Sequence, residues 1–345
     1  MNLVSLSKGM LEKGLIPDPL IRWGMQQLLR QKLADEAQGG AQAAQVRLKM
    51  LIEEMKRSPV ALHTLDANAQ HYEVPTEFFQ LCLGRHLKYS SCYYKQGDES
   101  LDEAEADMLA MSAQRAELQD GQHILELGCG WGSLSLYMAS QYPNAKITSV
   151  SNSKTQKIFI DEQAKKRGLT NLRIITCDMN EFAINESFDR VVSVEMFEHM
   201  RNWQELLKRV AGFLKPQGKL FIHIFTHQQY AYFYDHQDES DFIGRYFFTG
   251  GIMPSDDLLL SFQDHLAIED HWQVSGTHYS KTSEAWLSNM DAHKTRILEI
   301  FKDVYGQEYV KWWHYWRIFY MACAELWGYD NGSQWIVSHY RFIKR

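Results

Sequence analysis

The sequence lacks any run of about 18 consecutive apolar residues, the length that a membrane-spanning helix needs. It also lacks a basic segment followed by an apolar stretch near Met1, so no secretory leader is expected. Its five cysteines include no Cys-x-x-Cys pair, and their odd number fits reduced thiols better than a disulfide framework. These absences predict a cytoplasmic protein without a transmembrane segment.

Positive charge is also scarce. Lys and Arg number 36 against 43 Asp and Glu, which gives a formal net charge of -7. Because proteins hold the phosphate backbone of nucleic acid with clustered Lys and Arg, nucleic acid is not an expected partner. Aromatic residues, in contrast, make up 13% of the chain and include 10 tryptophans. Core packing and an aromatic ligand pocket are both open explanations for this abundance.

Short apolar strands alternate with helices through the middle of the chain. Strands are expected at 124–127, 147–150, 172–176, 190–194, 219–224 and, near the C-terminus, 335–343. Strands separated by helices are typical of a parallel sheet built from βαβ units. The sequence therefore predicts an α/β fold.

The pattern divides the chain into four expected parts. Residues 1–70 are helical and either pack on the core or form a mobile lid. Residues 71–225 form the α/β core, and residues 335–345 supply its last strand. Residues 226–334, which contain most of the tryptophans, are expected to form a large helical cap that binds the substrate.

A glycine-rich loop, residues 128–132, joins the first strand to the helix that follows it. Such a turn lets a ligand approach the backbone closely. The loop reads G-x-G-x-G and lacks the third glycine of the dinucleotide pattern, and acidic residues stand at Glu126 and Asp178. These features favour S-adenosylmethionine (SAM) over NAD or FAD. A purely structural turn, and a helix cap at Asp178, are the alternatives.

Glu195, Glu198 and His199 follow the end of the fourth strand. Ligands of open α/β sheets bind beyond the carboxyl ends of the strands, where two carboxylates and an imidazole can perform acid–base chemistry. A polar helix start is the competing explanation, because glutamate is favourable in a first turn.

Eight motifs occur in the same order as in a known family of enzymes: residues 89–94, 125–130, 152–156, 194–200, 245–251, 271–272, 315–317 and 328–332. With them, the chain from about residue 71 onward resembles the cyclopropane fatty acid synthase superfamily of SAM-dependent enzymes, and within it the coclaurine N-methyltransferase group. The resemblance implies a seven-stranded Rossmann-like core of the class I SAM-dependent methyltransferases, with N-terminal helices and a helical cap. It also suggests a homodimer.

The resemblance further implies where SAM is bound and where its product, S-adenosylhomocysteine (SAH), is left. The cofactor-binding residues that we predict are Tyr89, Ser90, Glu126, Gly128, Gly130, Asn152, Gln156, Asp178, Met179 and Glu195. Many α/β methyltransferases hold the ribose with a carboxylate after the second strand, whereas this chain has 151–153, Ser-Asn-Ser, there.

Coclaurine-type enzymes imply catalytic roles for Glu195, Glu198, His199 and Glu77. A carboxylate would hold the cationic amine, and the imidazole would accept its proton. Much of the remaining rate acceleration would come from holding the amine and SAM in the right geometry. The predicted reaction is methyl transfer from SAM to the nitrogen of a small or medium amine. No metal is expected.

The lipid-modifying members of the superfamily supply the alternative reaction, methylation or cyclopropanation of unsaturated acyl chains with a bound bicarbonate. At the position of Glu195 they usually have Gly, and at that of Ser91 a Cys, so this sequence departs at both. It keeps matches to other bicarbonate-site residues at Glu198, His223 and Tyr279. The substrate-binding residues that we predict are Ser91, His223, Tyr279, Trp316 and Phe319. A NAD-dependent oxidoreductase and an inactive SAM-binding module are weaker alternatives.

Overall fold

The computed structural model describes residues 9–62, 74–234 and 242–345. Within these residues one sheet has seven strands in the order β3-β2-β1-β4-β5-β9-β8. They are β1 His123–Leu127, β2 Lys146–Ser151, β3 Leu172–Thr176, β4 Phe188–Val194, β5 Leu214–His227, β8 Leu266–Val274 and β9 Trp335–Lys344. Strands β1 to β5 are parallel, and β9 runs antiparallel between β5 and β8. Two short strands, β6 Tyr232–Phe233 and β7 Ile252–Met253, pair separately.

Helices cover the sheet and build the rest of the described chain. They are α1 Asp18–Ala37, α2 Gly40–Arg57, α3 Thr76–Cys82, α4 Leu101–Arg115, α5 Ser133–Gln141, α6 Lys154–Lys166, α7 Trp203–Phe213, α8 Phe242–Tyr246, α9 Gly276–Ala292, α10 Lys294–Tyr305 and α11 Tyr309–Gly328. No helix among the described residues is both long and apolar enough to cross a membrane.

The central strands are buried on both faces, which explains why they could be predicted. Ile124, Leu125 and Leu127 on β1, with Val191 and Val192 on β4, are completely buried. Helices on both faces of a parallel sheet leave no solvent side, so these strands consist of nearly continuous apolar residues. The predicted α/β fold and its six strands are confirmed.

Strand β8 was not predicted, because it is an edge strand with one face in solvent. Its middle residues Glu269, Asp270 and His271 are exposed, and the charged residues interrupt the apolar pattern. The strand lies inside 226–334, so this segment is not a helical cap throughout but completes the sheet. The four-part division otherwise remains a proposal.

The N-terminal helix α1 packs on the C-terminal helices. Arg22 donates hydrogen bonds to Glu284 on α9, at 2.6 Å, and to Glu325 on α11, at 2.9 Å. The apolar side chains that pack against the same cluster are Ile21, Met25, Leu29 and Leu33. In the described residues, α1 therefore packs against the C-terminal helices.

A short 3-10 turn, Phe197–His199, follows β4 and is fastened to helix α7 by a buried tryptophan. The indole Nε1 of Trp203 donates to the carbonyl oxygens of Phe197, at 2.9 Å, and Met200, at 3.1 Å. Trp203 is completely buried, so these bonds are shielded from water. The fold thus fixes the turn that contains Glu198 and His199.

We expect the Trp203→Phe variant to lose about 1–3 kcal/mol of stability in urea denaturation, because two buried carbonyl groups lose a donor. The control is Ile158→Val on α6, where the isoleucine is 60% exposed. Surface changes of this kind usually stay within about 0.5 kcal/mol. Equal stability of the two variants would show that Trp203 does not fasten the turn.

Candidate active site

A cavity opens at the carboxyl ends of strands β1 to β4. All ten predicted cofactor-binding residues line it: Tyr89, Ser90, Glu126, Gly128, Gly130, Asn152, Gln156, Asp178, Met179 and Glu195. His199 lines it as well. The carboxyl edge of a parallel sheet is where ligands of such folds bind, so this cavity is the candidate active site.

The two glycines that begin the loop have different structural tasks. Gly128 has φ +80°, and a Cβ there would come within 2.5 Å of Met196, so close packing requires glycine. Gly130 has φ +50°, and a Cβ there would meet nothing within 4 Å. Because the space beside Gly130 is open and faces the cavity, it is the position at which a ligand can approach the backbone.

Helix α5 begins directly after this loop, and its start offers donors to a ligand. Its N-cap residue, Gly132, provides no side-chain hydrogen bond to the first backbone N–H groups. Such free groups favour the binding of an anion such as a carboxylate. The hydroxyl of Ser133 at the same end is buried and has no partner among the described residues.

Gln156 lies on α6, shortly after the end of β2, and its side-chain amide has a donor without a partner among the described residues. The Ser151 hydroxyl donates to Oε1 of Gln156 at 2.6 Å, and the amide Nε2 then has no partner among the described residues. Gln156 is 1% exposed, and buried donors without a partner are rare unless a ligand satisfies them. SAM offers suitable acceptors in its adenine nitrogens, ribose hydroxyls and carboxylate, so the residues present fit this cofactor.

Two acidic residues of the cavity wall are held by their own neighbours. Glu126 accepts hydrogen bonds from the hydroxyls of Ser135 and Ser149. Asp178 accepts one from the backbone N–H of Asn180, at 2.7 Å, and closes a turn; no helix begins there, so it is not the helix cap of the alternative explanation. Both residues nevertheless line the cavity, where they can also meet a ligand.

Glu195 is the centre of the polar network in the cavity wall. Its Oε1 accepts hydrogen bonds from the backbone N–H of Ser91, at 2.9 Å, and from Nε2 of His223, at 3.1 Å. Its Oε2 accepts one from the hydroxyl of Tyr279, at 2.7 Å. Ser91, His223 and Tyr279 were predicted to bind substrate, and in the structure they instead hold this carboxylate.

The backbone of Glu195 is in the left-handed region, with φ +47°. A non-glycine residue held there stores strain, which is common at functional sites. The N–H of Glu195 donates to the carbonyl of His223, at 2.8 Å, and fixes the strained residue against β5. The side chain is thereby aimed at its three donors.

Sequence reasoning missed Lys88, a buried cation near Glu195. Its Nζ donates to the Ser90 hydroxyl, at 2.5 Å, and to the Ser91 carbonyl, at 2.6 Å. Burial lowers the pKa of this lysine. Burial also raises the pKa of Glu195 above its ordinary value, and the positive charge of Lys88 offsets only part of that rise. In the sequence nothing distinguishes Lys88 from a surface lysine except its place directly before the motif 89–94.

Glu198 is completely buried behind the cavity wall. Its Oε1 accepts the backbone N–H of Phe225 at 2.9 Å, and its Oε2 has no partner among the described residues. Burial first, and then the neighbouring Glu195, raise the pKa of Glu198 well above its ordinary value. Since Glu195 has three donors and Glu198 has one, Glu195 is the member of the pair that loses its proton first.

Seven predicted site residues do not line the cavity: Ser91, Glu198, His223 and Tyr279, described above, and Glu77, Trp316 and Phe319. Glu77 is 44% exposed and forms a surface ion pair with Arg296, at 2.7 Å, which contradicts its predicted role as an active-site carboxylate. Trp316 is completely buried against the rings of Phe78 and other core residues. Phe319 stacks on Phe247, with ring centroids 4.4 Å apart. Trp316 and Phe319 on α11 therefore pack in the core. Their positions in the sequence do not reveal which side of the helix faces a ligand.

A cavity built in this way, at the edge of a sheet with this strand order, is the cofactor site of class I SAM-dependent methyltransferases, and the chain is one of these enzymes. SAM is its cofactor, as the glycine loop predicted. The comparison with known proteins then gives the family. The chain belongs to the mycolic acid cyclopropane synthetase family, whose model matches residues 62–329.

Two kinds of relative are found within this family. The chain is 37% identical to (S)-coclaurine N-methyltransferase of Thalictrum flavum subsp. glaucum, over 97% of this chain and 94% of the relative. A crystal structure of coclaurine N-methyltransferase bound to N-methylheliamine and SAH is 35% identical, with a TM-score of 0.96 over 99% of this chain and all of that one. The cyclopropane-fatty-acyl-phospholipid synthase of Escherichia coli (strain K12) is 30% identical over 68% of this chain and 59% of the relative. The predicted superfamily and the coclaurine-type resemblance are confirmed.

Gly130→Val should weaken SAH binding by more than about tenfold in calorimetry, because its methyl groups would fill the space in which the ligand approaches the loop. The control is Gly121→Val, since Gly121 also has positive φ and open space but lies in a turn outside the cavity. Both variants bear a backbone penalty of about 1–2 kcal/mol. Equal SAH affinity in the two would mean that the cofactor binds elsewhere.

Glu198→Gln should make the protein more stable than the parent, and the difference should grow as the pH rises. A raised pKa in the folded state gives stability that is present at low pH and is lost as the pH rises through that pKa. Glutamine resembles the protonated acid and has no proton to lose. Melting temperatures of both proteins from mildly acidic to mildly alkaline buffer test this, with Glu53→Gln on the exposed face of α2 as control. A difference that shrinks with pH would assign the proton to another group.

Proposed function

We propose that the enzyme transfers the methyl group of SAM to the nitrogen of a small or medium amine, of the alkaloid type that its coclaurine-type relatives methylate. The observation that supports this best is Glu195. It is a buried carboxyl group with three hydrogen-bond donors in the wall of the cofactor cavity, where a cationic amine can be held next to the methyl donor.

The methyl group of SAM is bound to a sulfonium. The nitrogen lone pair attacks the methyl carbon in line, and the C–S electron pair leaves with sulfur. An amine is mostly protonated at neutral pH, so its nitrogen must first lose a proton. His199, in the cavity wall, is the residue that accepts this proton. The nitrogen becomes positive again when the new N–C bond forms.

Glu195 is suited to electrostatic stabilisation more than to proton transfer. Its three donors favour the ionised form, and they hold the carboxylate in place before the substrate arrives. The negative charge therefore faces the amine while the amine is cationic, and again while positive charge develops on nitrogen. Burial strengthens this interaction because water does not screen it.

Aromatic rings surround this polar centre and can hold a flat, cationic substrate. The ring of Phe248 lies 4.7 Å from that of His199, and Trp327 stacks on Tyr279 with centroids 4.8 Å apart. Phe225 contacts both Phe248 and Trp327. Aromatic faces attract cations and pack against ring systems. Phe248, whose ring lies beside that of His199, is the candidate for substrate contact, although Phe225, Phe248 and Trp327 do not line the cofactor cavity itself.

Lipid modification is the second candidate, since the family contains a cyclopropane-fatty-acyl-phospholipid synthase. The structure favours it less. His223 and Tyr279, which match bicarbonate-site residues of the lipid enzymes, both donate to Glu195. A bound bicarbonate would therefore find these donors already used and would face a negative charge.

A turnover screen decides between the two reactions. SAH release is followed with amines, including tetrahydroisoquinolines and simple phenethylamines, and separately with unsaturated phospholipid vesicles plus bicarbonate. Turnover with amines alone, rising with pH as the amine loses its proton, is the expected result. Turnover with vesicles alone would assign the enzyme to lipid modification.

Glu195→Gln should lower kcat/KM for the amine by about 10²–10³, because the charge is lost and the new amide N–H₂ faces groups that are themselves donors. Glu77→Gln is the control, since Glu77 lies at the surface and its ion pair with Arg296 is exposed. We expect its kcat/KM to match that of the parent. Steady-state kinetics would contradict the proposal if Glu195→Gln stayed fully active or if Glu77→Gln were equally impaired.

Cytoplasmic location and a homodimer are further proposals. Five unpaired cysteines, Cys82, Cys92, Cys129, Cys177 and Cys323, support a reducing compartment. Exposed apolar side chains on α1 and α2 support an interface there; they are Leu20, Trp23, Leu28, Val46 and Met50. Light scattering of the purified chain measures the mass that distinguishes a dimer from a monomer.

A further inference from the structure

A chain of buried side chains extends from Glu195 away from the cavity. His223 Nε2 lies 3.1 Å from Oε1 of Glu195, and His223 Nδ1 lies 2.9 Å from Nε2 of His339. His339 Nδ1 lies 2.8 Å from a guanidinium nitrogen of Arg115. His223 on β5 and His339 on β9 are directly opposite in the sheet, and both are completely buried. Arg115 is the last residue of α4.

Only one arrangement of protons satisfies every contact in this chain. Arginine is always protonated and cannot accept a hydrogen bond, so Arg115 must donate to Nδ1 of His339. A neutral His339 then has its proton on Nε2 and donates to Nδ1 of His223. His223 in turn has its proton on Nε2 and donates to Glu195. The tautomer of one histidine sets that of the next, and the arginine determines the direction.

Both imidazoles are held in the neutral form. Burial lowers the pKa of His223 and of His339 well below the ordinary value, and the positive charges of Arg115 and Lys88 lower both further. Neutral histidine exists as two tautomers that interconvert easily unless a neighbour selects one. In this structure the guanidinium of Arg115 is that neighbour.

Arg115 forms no ion pair with a carboxylate of the described residues. Its guanidinium instead donates to His339 and lies 5.1 Å from the ring centroid of Trp272 on β8. Arg115 is half-buried, and it contacts a neutral histidine and an aromatic ring. It therefore lacks the favourable ion pair with a carboxylate that most arginines can form. This placement is explained if the direction of hydrogen bonding along the histidines matters to the enzyme.

We propose that Arg115 and His339 are positioning residues that fix the tautomer of His223 and thereby the orientation and charge of the Glu195 carboxylate. This inference rests on the proposed role of Glu195 in amine methylation. Neither Arg115 nor His339 lines the cavity. In the opposite tautomer, the lone pair of His223 Nε2 would face Oε1 of Glu195, and the repulsion would turn the carboxylate or require it to bind a proton.

The test uses Arg115→Leu and Arg115→Lys in the full chain, with the SAH-bound protein labelled with ¹⁵N-histidine. The ¹⁵N chemical shifts report which ring nitrogen bears the proton. We expect His223 to have its proton on Nε2 in the parent and in Arg115→Lys, which keeps a cationic donor. Arg115→Leu should show both tautomers of His223. Its kcat should fall by about 10–100-fold, the usual effect of losing a residue that orients a functional side chain through hydrogen bonds. KM for SAM should stay close to that of the parent.

Arg341→Leu is the matched control. Arg341 lies over the same Trp272 ring, at 5.4 Å, and donates to the backbone carbonyl of Arg115, to Glu269 and to Asp270, but not to His339. We expect this variant to lose stability while the tautomer of His223 and kcat remain those of the parent. If Arg115→Leu does not fold, His339→Phe removes the donor to Nδ1 of His223 directly and should give the same tautomer mixture.

Two results would overturn the inference. One is a single, unchanged tautomer of His223 in Arg115→Leu or His339→Phe, and the other is an equal fall in kcat in Arg341→Leu. Absence of any amine turnover by the parent enzyme is a different result, since it would reject the proposed function. The ¹⁵N shifts would still decide whether Arg115 sets the tautomer, so the two failures can be told apart.

Discussion

The structure of the active site depends on one buried negative charge, the carboxylate of Glu195. Burying a charge costs several kcal/mol unless hydrogen bonds compensate for it. The three donors come from separate parts of the chain: Ser91 from the segment before α4, His223 from β5 and Tyr279 from α9. The carboxylate can therefore be ionised only after the sheet and the C-terminal helices have assembled around it. This requirement links the cap to the chemistry of the core.

The same charge determines the state of its neighbours. Burial raises the pKa of both carboxyl groups, and burial together with Glu195 raises that of Glu198 well above its ordinary value, so Glu195 is the first of the two to ionise. Environments that separate the pKa values of paired groups assign them different tasks. The positive charge of Lys88 favours the ionised form of Glu195, and so does the hydrogen bond from His223, which His339 supports. The site is thus organised for a cationic substrate before any ligand binds.

Residues close together in the sequence were the most predictable. The strands of the core were found because burial on both faces makes them nearly continuous apolar segments, whereas edge strand β8 was missed because its solvent face contains charged residues. All ten predicted cofactor residues line the cavity: eight lie in or near a strand end, and Tyr89 and Ser90 were found through their motif in the segment before α4. Glu77 and Trp316 failed as site residues, since a matching motif does not show which neighbour a side chain will meet.

The sequence by itself determined the glycine loop, the alternation of strands and helices and, through its motifs, the class of enzyme. These properties are local, and spacing along the chain encodes them. Only the tertiary structure decided the protonation of Glu195 and Glu198, the burial of Lys88 and the contact between Arg115 and His339, which are 224 positions apart. Charge and tautomer depend on burial and on partners brought together by folding, and no local pattern specifies either.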